Sequence, residues 1–188
     1  MEDITHIIPA IAEIMRSAQE IDSGTLVRDV MEIFQKEPSL LAIPVTEQDR
    51  FLGVINRKVL FIEHLGRPFA VDLYSRKPIS QLLPESQFNV APEIDINATL
   101  AKLLEVDPEL SIDSFPVTKD NRCLGIVSVS DLMMKVSDCQ AILFDTLQVL
   151  SSRINEEVAK ASIIQKDLLP HSEYSDSALT ISADLITS

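Results

Sequence analysis

Apolar and polar positions follow the same order in two blocks of this chain. Residues 42–61 read AIPVTEQDRFLGVINRKVLF and residues 114–133 read SFPVTKDNRCLGIVSVSDLM. Aligned without gaps at an offset of 72, they share Pro44/Pro116, Val45/Val117, Thr46/Thr118, Arg50/Arg122, Leu52/Leu124, Gly53/Gly125 and Leu60/Leu132. In each block a short apolar run (Ala42–Val45; Ser114–Val117) meets a polar stretch, and a second apolar run follows (Phe51–Ile55; Cys123–Val127). Two β-prone runs around a polar turn predict a hairpin. A helical pattern comes next, through Val59, Leu60, Ile62 and Leu65 in the first copy and Leu132, Met133 and Val136 in the second. Gly66 and Pro68 end the first of these helices.

A helix also precedes each hairpin. Leu26, Val30, Ile33 and Phe34 fall on one face at helical spacing, and Thr99–Glu105 repeats the pattern. Thr25 and Thr99 are expected to cap these helices through their hydroxyls. Leading strands are expected near Ala18–Ile21 and Phe88–Ala91. The fold class is therefore α+β: a strand–helix–strand–strand–helix unit, twice. One unit of about 60 residues is marginal alone, because small domains bury too little surface. Two should pack their sheets together and leave a cleft suited to a small molecule.

From Ser137 the pattern changes. Residues 137–169 contain neither Gly nor Pro, and Leu143, Leu147, Leu150, Ile154, Val158 and Ala161 step by three or four. This predicts an amphipathic helix of about seven turns, with Leu168 rejoining the stripe and Pro170 stopping it. Such a helix pairs economically with its twin in a parallel homodimer, although it can also fold back on the paired units.

Composition removes several functions. The net charge is −13, from 16 Lys and Arg against 29 Asp and Glu. Nucleic acid and anionic lipid both recruit clustered cations, so neither a nucleic acid nor a membrane is the expected partner. Trp is absent and aromatics make up only 5%, which argues against a base-stacking platform. Cys123 and Cys139 show no metal-type spacing and fit a reducing cytoplasm. His6, His64 and His171 are isolated and no Gly-rich loop occurs, so no catalytic residue and no metal ligand is expected.

The duplicated Pro-Val…Leu-Gly pattern resembles the cystathionine-β-synthase (CBS) domain pair, or Bateman module, over roughly residues 15–137. The stretch Gly125-Ile-Val-Ser128-Val-Ser-Asp131 is similar to that family's nucleotide-binding signature. The resemblance implies a ligand-sensing regulatory module whose ligand is an adenosine nucleotide of the AMP, ADP or ATP type, with no cofactor required. It implies that Ser128 touches phosphate and Asp131 holds the ribose. The adenine is expected against Val90, Ala91, Phe115 and Pro116, at the start of the same unit. Asp131 or Ser130 can equally cap the helix that follows. In the first copy Asn56 and Val59 stand where the signature has a hydroxyl and an Asp, so a single-site module is expected. The cations Arg57, Lys58, Arg67, Arg76 and Lys77 can face phosphate or simply lie on a salt-bridged surface.

This divides the chain into an N-terminal helix (1–16), CBS domain 1 (17–67), a linker (68–86), CBS domain 2 (87–137), a signalling helix (138–169) and the start of an output domain (170–188). That last part is expected to be disordered or irregularly paired. Residues 161–170 resemble the junction before bacterial PPM-type serine/threonine phosphatase domains of the SpoIIE-like branch, with Leu179–Thr187 as the first strand. The expected function is to sense a nucleotide and transmit its presence through the helix. The alternative is a ligand-independent dimerisation module.

Overall fold

The structure, a computed structural model, describes residues 8–168, 174–176 and 179–181, with side chains for 8–165. The chain divides into two compact units, Met1–Gln140 and Ala141–Ser188.

The first unit holds both repeats. β2 (Ala42–Glu47) and β3 (Arg50–Asn56) form one antiparallel hairpin; β4 (Ser114–Lys119) and β5 (Arg122–Ser128) form the other. The offset of 72 holds residue by residue: Ala42 pairs Asn56 and Ser114 pairs Ser128, with a bulge after Val45 and another after Val117. The turns match as well. Gln48 and Asp49 have φ of 49° and 62°, and Asp120 and Asn121 have 49° and 63°. Two successive left-handed residues give the tight turn whose twist suits a hairpin, and Asp and Asn tolerate that conformation better than most residues.

The leading strands are shorter than expected. β1 (Ile21–Asp22) pairs in parallel with β2, Ile21 opposite Val45. In the second repeat a lone parallel bridge joins Val90 to Val117. The helices before the hairpins are α1 (Val27–Lys36) and α3 (Ile96–Val106). Neither is capped by the expected threonine. α3 is capped by Asp95, whose carboxylate accepts from Ala98 N at 2.9 Å; Thr99 is buried inside the helix and donates to Asp95 O. α1 starts after Leu26 without a side-chain cap. Its first amides are taken by backbone instead: Val27 N donates to Lys77 O and Arg28 N to Ser75 O. A neighbouring segment has done what the capping hydroxyl was expected to do.

That neighbour is part of the connection between the repeats, which contains α2 (Ala70–Tyr74) and a 3-10 turn, Ile79–Leu82. Leu26 bridges Pro78, and Ile79 and Leu82 are buried in the first core with Val27, Val30, Phe34, Ile43, Val45, Ile55 and Leu60. The N-terminal segment does the same for the second repeat. Ala10 bridges Asp95, Ile11 N donates to Ile94 O, and Ile11 is buried in the second core with Val90, Ile96, Leu103, Phe115, Val127 and Leu132. So each repeat's core is completed by the segment preceding the other repeat. Where the N-terminal helix was expected, Ile11–Glu13 form one 3-10 turn; residues 1–7 lie outside the described residues. Between the two cores, Ala42, Val54 and Ile126 make a smaller buried cluster. Val54 and Ile126 are equivalent positions, as expected near a pseudo-twofold axis.

The cationic stretch does structural work. Arg57 donates through Nε to Leu40 O at 2.9 Å and through Nη2 to Phe34 O and Glu37 O, and its guanidinium lies 4.9 Å from the centre of the Phe34 ring. It thereby ties up carbonyls at the C-terminal end of α1. Lys58 pairs with Asp113, and Lys77 lies over Tyr74. We expect Arg57→Ala to lower unfolding free energy by about 1–2 kcal/mol, because carbonyls lose a charged donor. Urea melts measure this. Arg57→Lys should recover little, since an ammonium cannot reproduce the planar fork.

After the first hairpin the chain makes a π-helical turn, Val59–His64. After the second it enters α4, which is continuous from Val129 to Leu168. The helix following the second hairpin and the tail helix, distinct patterns in sequence, are one element of 40 residues. No helix among the described residues is long and apolar enough to cross a membrane. In the second unit, β6 (Tyr174–Asp176) and β7 (Leu179–Ile181) pair antiparallel. The remainder of the strand expected to Thr187 lies outside the described residues.

Candidate functional site

The end of β5 and the start of α4 carry the second-copy motif. Ser128 is the residue before the helix, and its hydroxyl accepts from Asp131 N at 3.1 Å while sharing a hydrogen bond with Ser130 Oγ. Ser128 therefore caps α4, in the place proposed for Ser130 or Asp131. The Asp131 carboxylate is left for other partners, in the helix's first turn where a negative charge is favoured. Its partner here is Arg16, with Nη2 2.8 Å from Oδ2.

Arg16 reaches that position because its backbone is fixed. Arg16 N donates to Ile126 O and Ile126 N donates to Arg16 O, both at 2.9 Å. The repeated glycine permits this approach: a Cβ on Gly125 would stand 2.6 Å from the Arg16 carbonyl oxygen. Arg16–Ala18, Glu37 and Ser39–Ala42 then face Ile126, Ser128, Ser130 and Asp131 across a cavity of about 350 Å³. Ligand sites commonly begin at roughly 300 Å³.

The equivalent cleft of the first copy is about 230 Å³. It is lined by Val54–Asn56, Val59, Pro84, Ser86–Phe88, Val106, Ile112, Ser114 and Pro116, and among the described residues no charged side chain faces it. Asn56 is held by donating to Ser114 O, and Val59 stands where Asp131 stands in the other copy. The leading segment also docks differently. Gln87 uses its side-chain amide as the Arg16 backbone is used, its Oε1 accepting from Val54 N at 2.7 Å and its Nε2 donating to Val54 O. Asp107, at the end of α3, braces the loop on the far wall. Its carboxylate accepts from Ile112 N and Ser111 Oγ, and the Ile112 amide above all holds its carboxyl below the usual carboxylate range.

The structure does not gather the six residues that the sequence placed around one nucleotide. Ser128 and Asp131 line the larger cleft together. Phe115 and Val90 are buried at 1% and 4% exposure in the second core. Pro116 lines the other cleft, and Ala91 is exposed beside neither. The reason is the pseudo-twofold. Each cleft takes its motif from one repeat and its opposite wall from the other, so the surfaces facing Ser128 and Asp131 are Ala18 and Leu40–Ala42. Sequence reasoning missed these residues, and Arg16 and Glu37 with them. The signal was available in the repeat itself, since a symmetric pair of hairpins exchanges walls across its axis.

Burial pushes the Cys123 thiol up to about 11, so it stays protonated near neutral pH. Among the described residues no three His, Cys, Asp or Glu side chains gather to hold a metal.

The sequence profile of the CBS domain matches residues 11–62 and 73–138, more than half of the chain. The chain belongs to the CBS-domain family. Its tandem CBS pair also matches solved structures. AcuB from Vibrio cholerae superposes with a TM-score of 0.57 at 14% identity, over 73% of this chain and 97% of that one. CBSX2, solved in complex with AMP, gives 0.55 at 16% identity over 70% and 98%. The CBS domain pair of MJ0100, solved with 5′-methylthioadenosine and S-adenosyl-L-methionine, also gives 0.55 at 16% identity over 70% and 98%. At these identities the likeness establishes the CBS-pair fold. No curated protein sequence matches the chain.

Proposed function

We propose that this CBS pair is a regulatory module that binds an adenosine nucleotide in the Ser128–Asp131 cleft and signals through α4. The observation that carries the reading is the meeting, in one cavity, of a hydroxyl, a carboxylate at a helix N-terminus and an apolar opposite wall. A carboxylate can accept from both hydroxyls of a ribose. A helix N-terminus attracts a phosphate. Ala18 and Leu40–Ala42 offer an apolar surface for a base. The adenosine ligands of CBSX2 and of the MJ0100 pair support that ligand class.

The carboxylate that would meet the sugar sits in the first turn of a helix 40 residues long. A ligand that binds one position of Asp131 better than another therefore acts on the root of α4, and only such differential affinity can shift the equilibrium. The junction at residues 161–170 is the basis for proposing a PPM-type phosphatase as the output. The smaller, uncharged cleft supports a single nucleotide site per CBS pair.

Titration calorimetry with AMP, ADP, ATP and S-adenosylmethionine is the test. We expect binding of at least one of them, weakened roughly tenfold or more by Asp131→Ala, since a hydrogen bond to a charged group contributes about 1.5–3 kcal/mol. Binding unchanged in Asp131→Ala would overturn the assignment.

One observation favours a second reading. Leu147, Leu150, Ile154 and Val158 on α4 are all exposed in the single chain, which suits a helix that pairs with its copy. Under that reading the CBS pair and helix hold a homodimer together without a ligand. Thermal melting that no nucleotide shifts, together with a stable dimer by light scattering, would decide for it.

A further inference from the structure

We infer that Arg16 sets the specificity of the Ser128–Asp131 cleft, by exchanging the Asp131 carboxylate for the 5′-phosphate of the ligand. The inference rests on the nucleotide reading above and adds a selection rule: the cleft prefers a 5′-phosphorylated nucleoside to the bare nucleoside.

Among the described residues, three charged side chains line this cavity, Arg16, Glu37 and Asp131. With one cation against two carboxylates, a phosphate entering the cleft has a single side-chain partner of opposite sign. The Ser128 hydroxyl is already engaged by Asp131 N and Ser130 Oγ. Arg16 and Asp131 differ in freedom. The Arg16 side chain is 76% exposed, whereas that of Asp131 is 22% exposed and rooted in α4. The Arg16 backbone is pinned to Ile126 on both its amide and its carbonyl. The guanidinium is thus a swinging head on a fixed root, and the carboxylate is the fixed partner.

A ribose that donates both hydroxyls across the carboxylate needs Oδ2, the oxygen that Arg16 holds at 2.8 Å. A bare nucleoside must break the ion pair and leaves the guanidinium with water alone. A nucleoside 5′-phosphate breaks the same pair but gives the guanidinium a new anion, and the planar fork suits phosphate as well as it suits carboxylate. Glu37 faces the same space and opposes additional negative charge. No covalent step is involved; one ion pair and the ligand's water contacts are replaced by a diol–carboxylate and a phosphate–guanidinium contact. The first-copy cleft has neither partner, with Val59 in place of the Asp and no cation on its walls.

The test is calorimetric titration of the full chain with AMP and with adenosine, in wild type, Arg16→Ala and Arg16→Lys. We expect wild type to favour AMP by about tenfold or more, the size of one charge-assisted contact. In Arg16→Ala, AMP should weaken about tenfold while adenosine holds or tightens, so the ratio falls toward one. Arg16→Lys should keep part of the preference, as a point charge without the fork, and raising salt should erode the wild-type preference. The fixed contacts of Arg16 are backbone ones, so these variants keep the fold; circular dichroism checks that. An AMP-to-adenosine ratio that is the same in wild type and Arg16→Ala overturns the exchange while leaving the nucleotide site standing. Failure of wild type to bind any of AMP, ADP, ATP and S-adenosylmethionine, or indifference of AMP and adenosine alike to Asp131→Ala, instead removes the site itself.

Discussion

Replacing Phe115 with alanine will cost the CBS pair about 3–5 kcal/mol of stability, the usual range for deleting a fully buried aromatic side chain. Phe115 is 1% exposed and lies in β4, among Val90, Ile96, Leu103, Val127 and Leu132. Its ring meets Phe88 edge to face at 5.1 Å between centroids, and Phe88 in turn lines the smaller cleft. Truncation therefore removes packed atoms, leaves a cavity and unseats a wall of that cleft. A midpoint drop of roughly 10–15 °C follows for a unit of this size. The sequence pattern placed Phe115 against an adenine, and the structure places it in the core. The two can be separated by measurement. Thermal melting should show the full loss, while titration well below the new midpoint should leave the affinity of the nucleotide site proposed at Asp131 near that of wild type. A stable Phe115→Ala variant with weakened binding would sink the core assignment.

The two repeated glycines should respond very differently to the same substitution. A Cβ at Gly125 would stand 2.6 Å from the Arg16 carbonyl oxygen and 3.2 Å from the carbon that carries it. That carbonyl is backbone, and it accepts from Ile126 N at 2.9 Å. It can move only by breaking the bridge that holds Arg16–Ala18 on the cleft. Gly125→Ala is expected to cost about 2–3 kcal/mol, toward the upper end for overpacking, and to distort the cleft proposed to bind the nucleotide. At Gly53 the nearest atom is the Gln87 side-chain oxygen, 3.0 Å away. A side chain can yield by a few tenths of an ångström, so Gly53→Ala should cost under about 1 kcal/mol. Denaturant unfolding of both variants is decisive. Equal costs would mean that the two leading segments dock with equal tolerance, contrary to the geometry described. Neither glycine has a positive φ, so close approach alone is what requires it.

Much of this was legible along the chain because it is local. Alternation, two polar turn residues and a recurring Pro-Val and Leu-Gly are enough to set hairpin register, and they set it identically in both copies. The apolar spacing of α1 and α3 gave the buried faces, with Val30, Phe34 and Leu103 in the cores. The motif Ser128 and Asp131 could be read for the same reason, since the strand's last residue and the carboxylate in the next helix's first turn lie three residues apart. The threonine caps could not. Thr25 and Thr99 suit a cap by type, but Lys77 O and Ser75 O supply α1's first amides from about 50 residues away, and Asp95 takes the cap of α3.

The sequence by itself determined the duplicated hairpins, their turns, the amphipathic helices and the acidic character, because each depends on neighbours within a few positions. Only the tertiary structure decided which repeat completes which core, which walls face Ser128 and Asp131, and that Arg16 stands over the carboxylate. Those pairings join residues 16 with 126 and 42 with 128, more than 80 positions apart. Burial and close packing around the pseudo-twofold select them, and no local periodicity encodes which of two similar partners a segment will choose.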